Sequence, residues 1–258
     1  MTVAICLIMV GTSMSASTSL GARKDPNGVT WGELQLLPEY CRDANGIVWG
    51  DASFNPSPNA GRWVAMMGED FWHIHHYCYA LANLRRAELE TNPTKKRFVL
   101  GRVLGDYVYM IKNASPSLIV MPEILVRTGD VHRQLGNTGD ALMAYQSAMD
   151  IKRDYWPAYS RAATIFAEAK SKARVLEILE RGLIQVPGSK ELQQQYVAAG
   201  GDLKKFALNS APVRNAMMSS VDAAASSASA SNQQSTVPSN KRDLGGIASS
   251  AASAASAP

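Results

Sequence analysis

Two successive stretches, PEILVRTGDVHRQLGNTGDALMAYQSAMDIKRDY (Pro122–Tyr155) and WPAYSRAATIFAEAKSKARVLEILERGLIQVPGS (Trp156–Ser189), decide the fold. Laid over each other at a shift of 34, Leu125 falls on Tyr159, Thr128 on Ala162, Gly129 on Ala163 and His132 on Phe166. In the second half, Ala141 falls on Val175, Tyr145 on Leu179 and Ala148 on Gly182. A fixed period of this length marks one supersecondary unit repeated along the chain. The apolar spacing within each half is helical, and Leu135-Gly136-Asn137-Thr138-Gly139-Asp140 carries the Gly that ends one helix and the polar residues that start the next. Each unit is therefore two antiparallel helices, neither of which can bury its apolar face alone. The small residues let the paired helices approach, and Leu125, Tyr159, Phe166 and Tyr145 fill the space between units.

This order of large, medium, small and aromatic positions, then small, aromatic and small, resembles the tetratricopeptide (TPR) repeat, as does Pro187 near the end of the second unit. Val175 and the glycine-free turn Lys170-Ser171-Lys172 make the second copy slightly degenerate. The resemblance implies an all-α fold: a TPR-like right-handed superhelix of antiparallel helix pairs. It also implies a function, binding a partner segment in a concave groove lined by the first helix of each pair. By register the groove positions are Glu123, Val126, Arg127, Asp130, Arg133 and Gln134, followed by Ser160, Arg161, Thr164 and Glu168. Mixed charge with several arginines suits a polar or acidic peptide. Val126 and Asp130 stand where a carboxylate clamp of this family would place Lys and Asn, so that specificity does not carry over.

Working outward, residues 189–208 form a cap. Ser189 is a candidate N-cap, Leu192, Tyr196 and Val197 share one face, and a short helix from Asp202 to Leu208 follows Gly200-Gly201. Upstream, Glu69–Glu90 reads as one long helix and Arg97–Asn113 as a second, with Phe98, Val99, Val103, Leu104, Val108 and Ile111 at helical spacing. Together, 69–116 is an elongated, degenerate first repeat, so the helical domain spans 69–208. Residues 21–68 form an irregular N-terminal segment, with Asp51–Arg62 a loop by composition. The Leu37-Pro38-Glu39-Tyr40-Cys41 stretch and the later His75-His76-Tyr77-Cys78 resemble segments of uncharacterised exported bacterial TPR proteins, which implies location and architecture but no activity.

Both ends differ in composition. Val3–Val10 followed by Gly11–Ser19 resembles a signal peptide over residues 1–20, although no Lys or Arg precedes the apolar run. The run is too short for a membrane span, and no integral membrane span is expected. The protein is then exported and periplasmic, or cytoplasmic if this run is not a signal peptide. From Ser219 to Pro258, 23 of 40 residues are Ala or Ser. Such a segment lacks the apolar surface to offset its ordering entropy, so 209–258 reads as a disordered tail. With Cys6 removed, Cys41 and Cys78 remain, either as one disulfide or as two buried thiols; export favours the bridge.

The formal net charge of +4 is mild, and its densest cluster, Lys95-Lys96-Arg97, reads as a solvated face. Nothing resembles a nucleic-acid motif, so no nucleic-acid partner is expected. His73, His75, His76 and Cys78 are potential metal ligands. On one helix, however, the pairs His73/His76 and His75/Cys78 point apart by roughly 160–200°. Packing is the expected role of these histidines, and neither a metal site nor a cofactor is expected. A metal- or haem-handling protein using the His73–Cys78 helix is the alternative, as is a structural subunit of an envelope assembly. No phosphate loop, nucleophile elbow or oriented Cys–His pair occurs, so the chain is not expected to be an enzyme. The expected function is a protein-interaction scaffold of the bacterial cell envelope, its partner another protein or peptide segment.

Overall fold

A computed structural model describes residues 28–45, 57–212 and 215. Among them all regular structure is helical, and no strand occurs. Three short helices come first: α1 (Trp31–Leu34), α2 (Glu39–Asn45) and α3 (Ala60–Met67). A 3₁₀ helix (Gly68–His73) leads into α4 (Ile74–Leu89), which pairs with α5 (Pro93–Asn113). The chain continues as α6 (Met121–Gln134) with α7 (Thr138–Ile151), and α8 (Trp156–Glu168) with α9 (Lys172–Gln185). It closes with α10 (Lys190–Ala198) and α11 (Leu203–Asn209). Each long helix packs on its neighbours in sequence, and α8 also touches α6 and α10.

Local chemistry sets the boundaries. The Asn92 side chain accepts from the amides of Thr94 and Lys95, both at 3.0 Å, with Pro93 in the first turn of α5. Ser189 caps α10 through the Leu192 amide (3.3 Å), and Asp202 caps α11 through Lys204 and Lys205 (2.9 and 3.0 Å). The ends of α6 and α8 are copies of one another. After α6, the amides of Gly136 and Asn137 donate to the carbonyls of Arg133 and His132, with Gly136 at φ 85°. Thirty-four positions later, Lys170 and Ser171 donate to Ala167 and Phe166, with Lys170 at φ 55°. The end of α10 has the same form, with Gly200 at φ 81°. Glycine takes this left-handed conformation freely, whereas Lys170 holds it against its own Cβ.

Two glycines set the spacing of the helices. A Cβ on Gly129 would run into the ring of Tyr145, and one on Gly182 would lie 2.8 Å from Tyr159 Cγ and 2.9 Å from Leu192 Cδ1. These bare backbones let the Tyr145 and Tyr159 rings pack against the partner helix, and burying a side chain of that size stabilises a fold by about 1.5–3 kcal/mol. Tyr145, Leu179, Leu183 and Leu192 are fully buried.

The first three helices fold onto α4. Cys41 and Cys78 are joined by a disulfide with their Cα atoms 5.5 Å apart. Closing a 37-residue separation, such a link stabilises a fold by roughly 2–4 kcal/mol. Beside it, Arg86 Nε donates to Glu33 Oε1 and Nη2 to Glu33 Oε2, both at 2.6 Å, while Nη2 also donates to the Gly28 carbonyl (2.8 Å). Asp43 accepts from Ser57 Oγ and Trp63 Nε1, both at 2.6 Å, which ties α2 to α3.

Several expectations change. The segment expected to be one helix from Glu69 to Glu90 is 3₁₀ as far as His73, and its partner helix begins at Pro93 rather than Arg97. The described part of 21–68 is largely helical, and Ala60–Arg62 belongs to α3 instead of a loop. Leu192 and Tyr196 are buried, but Val197 is 52% exposed, one position round the helix from the packed face. On α5, Leu100, Val103, Tyr107 and Met110 form the core face, while Phe98, Val108 and Ile111 are exposed. Ala211, Pro212 and Asn215, within the stretch expected as tail, are helical. The signal-peptide-like run and the Ala/Ser-rich stretch from Ser219 lie outside the described residues.

Because Lys170 is strained where Gly136 is not, Lys170→Gly is expected to raise stability by about 1 kcal/mol. Gly136→Ala should lower it by a similar amount. Thermal unfolding of the two variants checks both signs.

Candidate functional site

The residues expected to line a groove lie on α6 and α8, and the structure engages most of them with one another. Arg127 Nε donates to Glu123 Oε1 (2.8 Å) one turn away on α6. Tyr145 Oη donates to Asp130 Oδ1 (2.8 Å), and that same carboxylate oxygen lies 3.2 Å from Arg161 Nε on α8. Arg133 reaches α8 as well, donating to both Glu168 oxygens, with Nε to Oε2 at 3.2 Å. Its hydrogen bond holds the Glu168 carboxyl below the usual range. Two charged rungs, Asp130–Arg161 and Arg133–Glu168, thus connect α6 to α8.

The next step along the array is polar but uncharged. Gln195 Nε2 on α10 donates to Ser160 Oγ (2.7 Å), and Thr164 Oγ1 donates to the Ser160 carbonyl (3.0 Å). Ser160 and Val126 are buried, so neither presents a side chain to an open groove, contrary to the register argument. Ser160 lies under Gln195 of α10. Of the ten positions, Arg133, Gln134, Arg161 and Glu168 are exposed.

Sequence reasoning missed a tyrosine cluster around Arg127. Burial pushes the hydroxyls of Tyr40, Tyr77, Tyr107 and Tyr155 up, and the charges of Glu123 and Arg127 act on all four. The rings of Tyr77 and Tyr107 are 6.0 Å apart, and both hydroxyls are buried without a hydrogen-bond partner. The available signal was the repeated Tyr-Cys dipeptide: bonding Cys41 to Cys78 also brings Tyr40 towards Tyr77.

The histidines meet α5. His73 Nδ1 is 3.1 Å from Tyr109 Oη, and His76 Nδ1 is 3.0 Å from Asp106 Oδ1. The His76 ring stacks on Tyr109 with centroids 3.7 Å apart. Burial, and then the neighbouring His76, pull His75 down to about 4. Cys78 lies in the disulfide and has no thiolate to offer. Among the described residues no group of three or more His, Cys, Asp or Glu is placed to hold a metal ion. No described helix is long and apolar enough to cross a membrane. No protein-family model matches the chain, and no curated protein matches it either.

Two titrations have a definite sign. His75 binds its proton less readily folded (about 4) than unfolded (6.5), so stability falls as pH drops from 6.5 towards 4. Glu33 is pulled down to about 2, chiefly by its Arg86 hydrogen bonds, so its contribution is lost as pH falls from 4.5 towards 2. Thermal unfolding across pH should show His75→Gln flattening the upper range and Glu33→Gln the lower. Tyr77→Phe and Tyr107→Phe each remove a desolvated hydroxyl that makes no hydrogen bond, so neither should lower the melting temperature. A fall of several degrees would show that the hydroxyl has a partner.

Proposed function

We propose that this chain is a non-enzymatic protein-interaction scaffold of the tetratricopeptide type, exported to the bacterial cell envelope. The observation that carries this reading is the return of the same helix-end hydrogen bonds at a spacing of 34 residues. Helix pairs stacked in one register present an extended surface, which is how such arrays hold a partner. The signal-like apolar run and the Cys41–Cys78 disulfide support export, since disulfides persist in oxidising compartments. In this reading the partner segment lies along α6 and α8. It contacts the exposed Arg133, Gln134, Arg161 and Glu168, while Asp130 and Tyr145 hold Arg161 in place.

The test is a pull-down from envelope fractions with the full chain, followed by the Arg133→Ala/Arg161→Ala double variant. Both side chains are exposed, so the fold should survive. Binding of the recovered partner should weaken roughly tenfold or more. Undiminished binding by the double variant would refute the assignment to this face.

A further inference from the structure

Helix α5 carries a second surface, independent of the α6–α8 face. Its core side is buried through Leu100, Val103, Tyr107 and Met110. On the side away from it Phe98 is 70% and Val108 40% exposed, while Tyr109, further along that side, stacks on His76. Five cations lie on this helix, Lys95, Lys96, Arg97, Arg102 and Lys112, and none forms a salt bridge to another described residue. The contrast with α6 and α8 is direct, because there Arg127, Arg133 and Arg161 all have carboxylate partners. The one acid of α5, Asp106, is turned to His76, and the Arg102 charge one turn away also acts on it without a salt bridge.

The open face has a defined shape. At about 100° per residue, Gly101 and Gly105 fall in its middle, between Phe98 and Val108. Arg97 lies on one rim, Lys95 and Arg102 lie on the other, and the exposed Lys112, one turn beyond Val108, closes the carboxyl-terminal end of the face. A Cβ placed on either glycine meets nothing within 4 Å, so the backbone is bare and open there. Exposed apolar side chains flanking a bare backbone allow another helix to approach closely, and the cationic rims require that helix to be acidic.

We propose that the exposed face of α5 docks an acidic amphipathic helix of a partner protein. Apolar and small side chains of that helix lie against Phe98, Gly101, Gly105 and Val108, and its carboxylates meet Arg97 and Arg102. Cations that form no salt bridge select an anionic partner, and the bare backbone at Gly101 and Gly105 selects a closely approaching helix.

Two labelled helical peptides with one apolar face, bearing either Glu or Lys on their polar faces, would be titrated against the full chain by fluorescence anisotropy. The Glu peptide is expected to bind saturably and roughly tenfold or more tighter than the Lys peptide, weakening as salt is raised. Arg97→Glu/Arg102→Glu should abolish the preference. Gly101→Gln/Gly105→Gln should block docking while raising the melting temperature, because Gly is a poor helix residue and both sites are open. The Arg133→Ala/Arg161→Ala variant should bind the Glu peptide normally, which separates this surface from the α6–α8 face. Equal affinity for the two peptides, or unaltered binding by the glycine variant, would overturn the proposal. So would self-association in sedimentation that the glycine variant abolishes, or binding to vesicles of anionic lipid with none to the Glu peptide.

Discussion

The close approach of Gly129 to the ring of Tyr145 is the contact on which the central array depends. With no Cβ at 129, the ring lies against α6, and its hydroxyl reaches Asp130. Asp130, held there, sits 3.2 Å from Arg161 on the next helix pair. One missing methyl group thus sets the spacing within a pair and, through a phenol and a carboxylate, the spacing between pairs. Gly182 against Tyr159 and Leu192 extends the arrangement to α10. Replacing such a glycine would force backbone shifts, since interiors at crystal-like density have no slack to absorb a carbon atom.

The amino-terminal helices belong to the same body through a different chemistry. Helices α1 and α2 are too short to hold themselves by propensity. A covalent bond and a bidentate ion pair, Cys41–Cys78 and Glu33–Arg86, fix them to α4. Because each cysteine follows a tyrosine, the disulfide also determines which polar groups gather near Arg127. Tyr40 reaches this neighbourhood from a segment that carries no periodic signal of its own.

The helix pairs were legible because their evidence is local. Apolar spacing, glycine and proline punctuation, and capping side chains all act within a few residues, so α6 to α10 lie close to where periodicity puts them. The candidate surface was legible only in part. A register identifies which side of a helix a residue occupies, yet it cannot say whether another helix covers that side. Val126 and Ser160 are covered, and the arginines expected to await a partner already have Glu123, Asp130 and Glu168. Likewise, Phe98, Val108 and Ile111 share helical spacing with core residues of α5, yet their side chains stay exposed.

Pro122–Tyr155 and Trp156–Ser189 determined, by themselves, the helical pairs and their 34-residue period, since these follow from the order of large, small and turn-forming residues. Tertiary structure alone decided which charges neutralise one another, which tyrosines lose water, and which face of α5 stays open. Those outcomes depend on distances between helices remote in sequence, and such distances are set by packing against the glycines and by the disulfide.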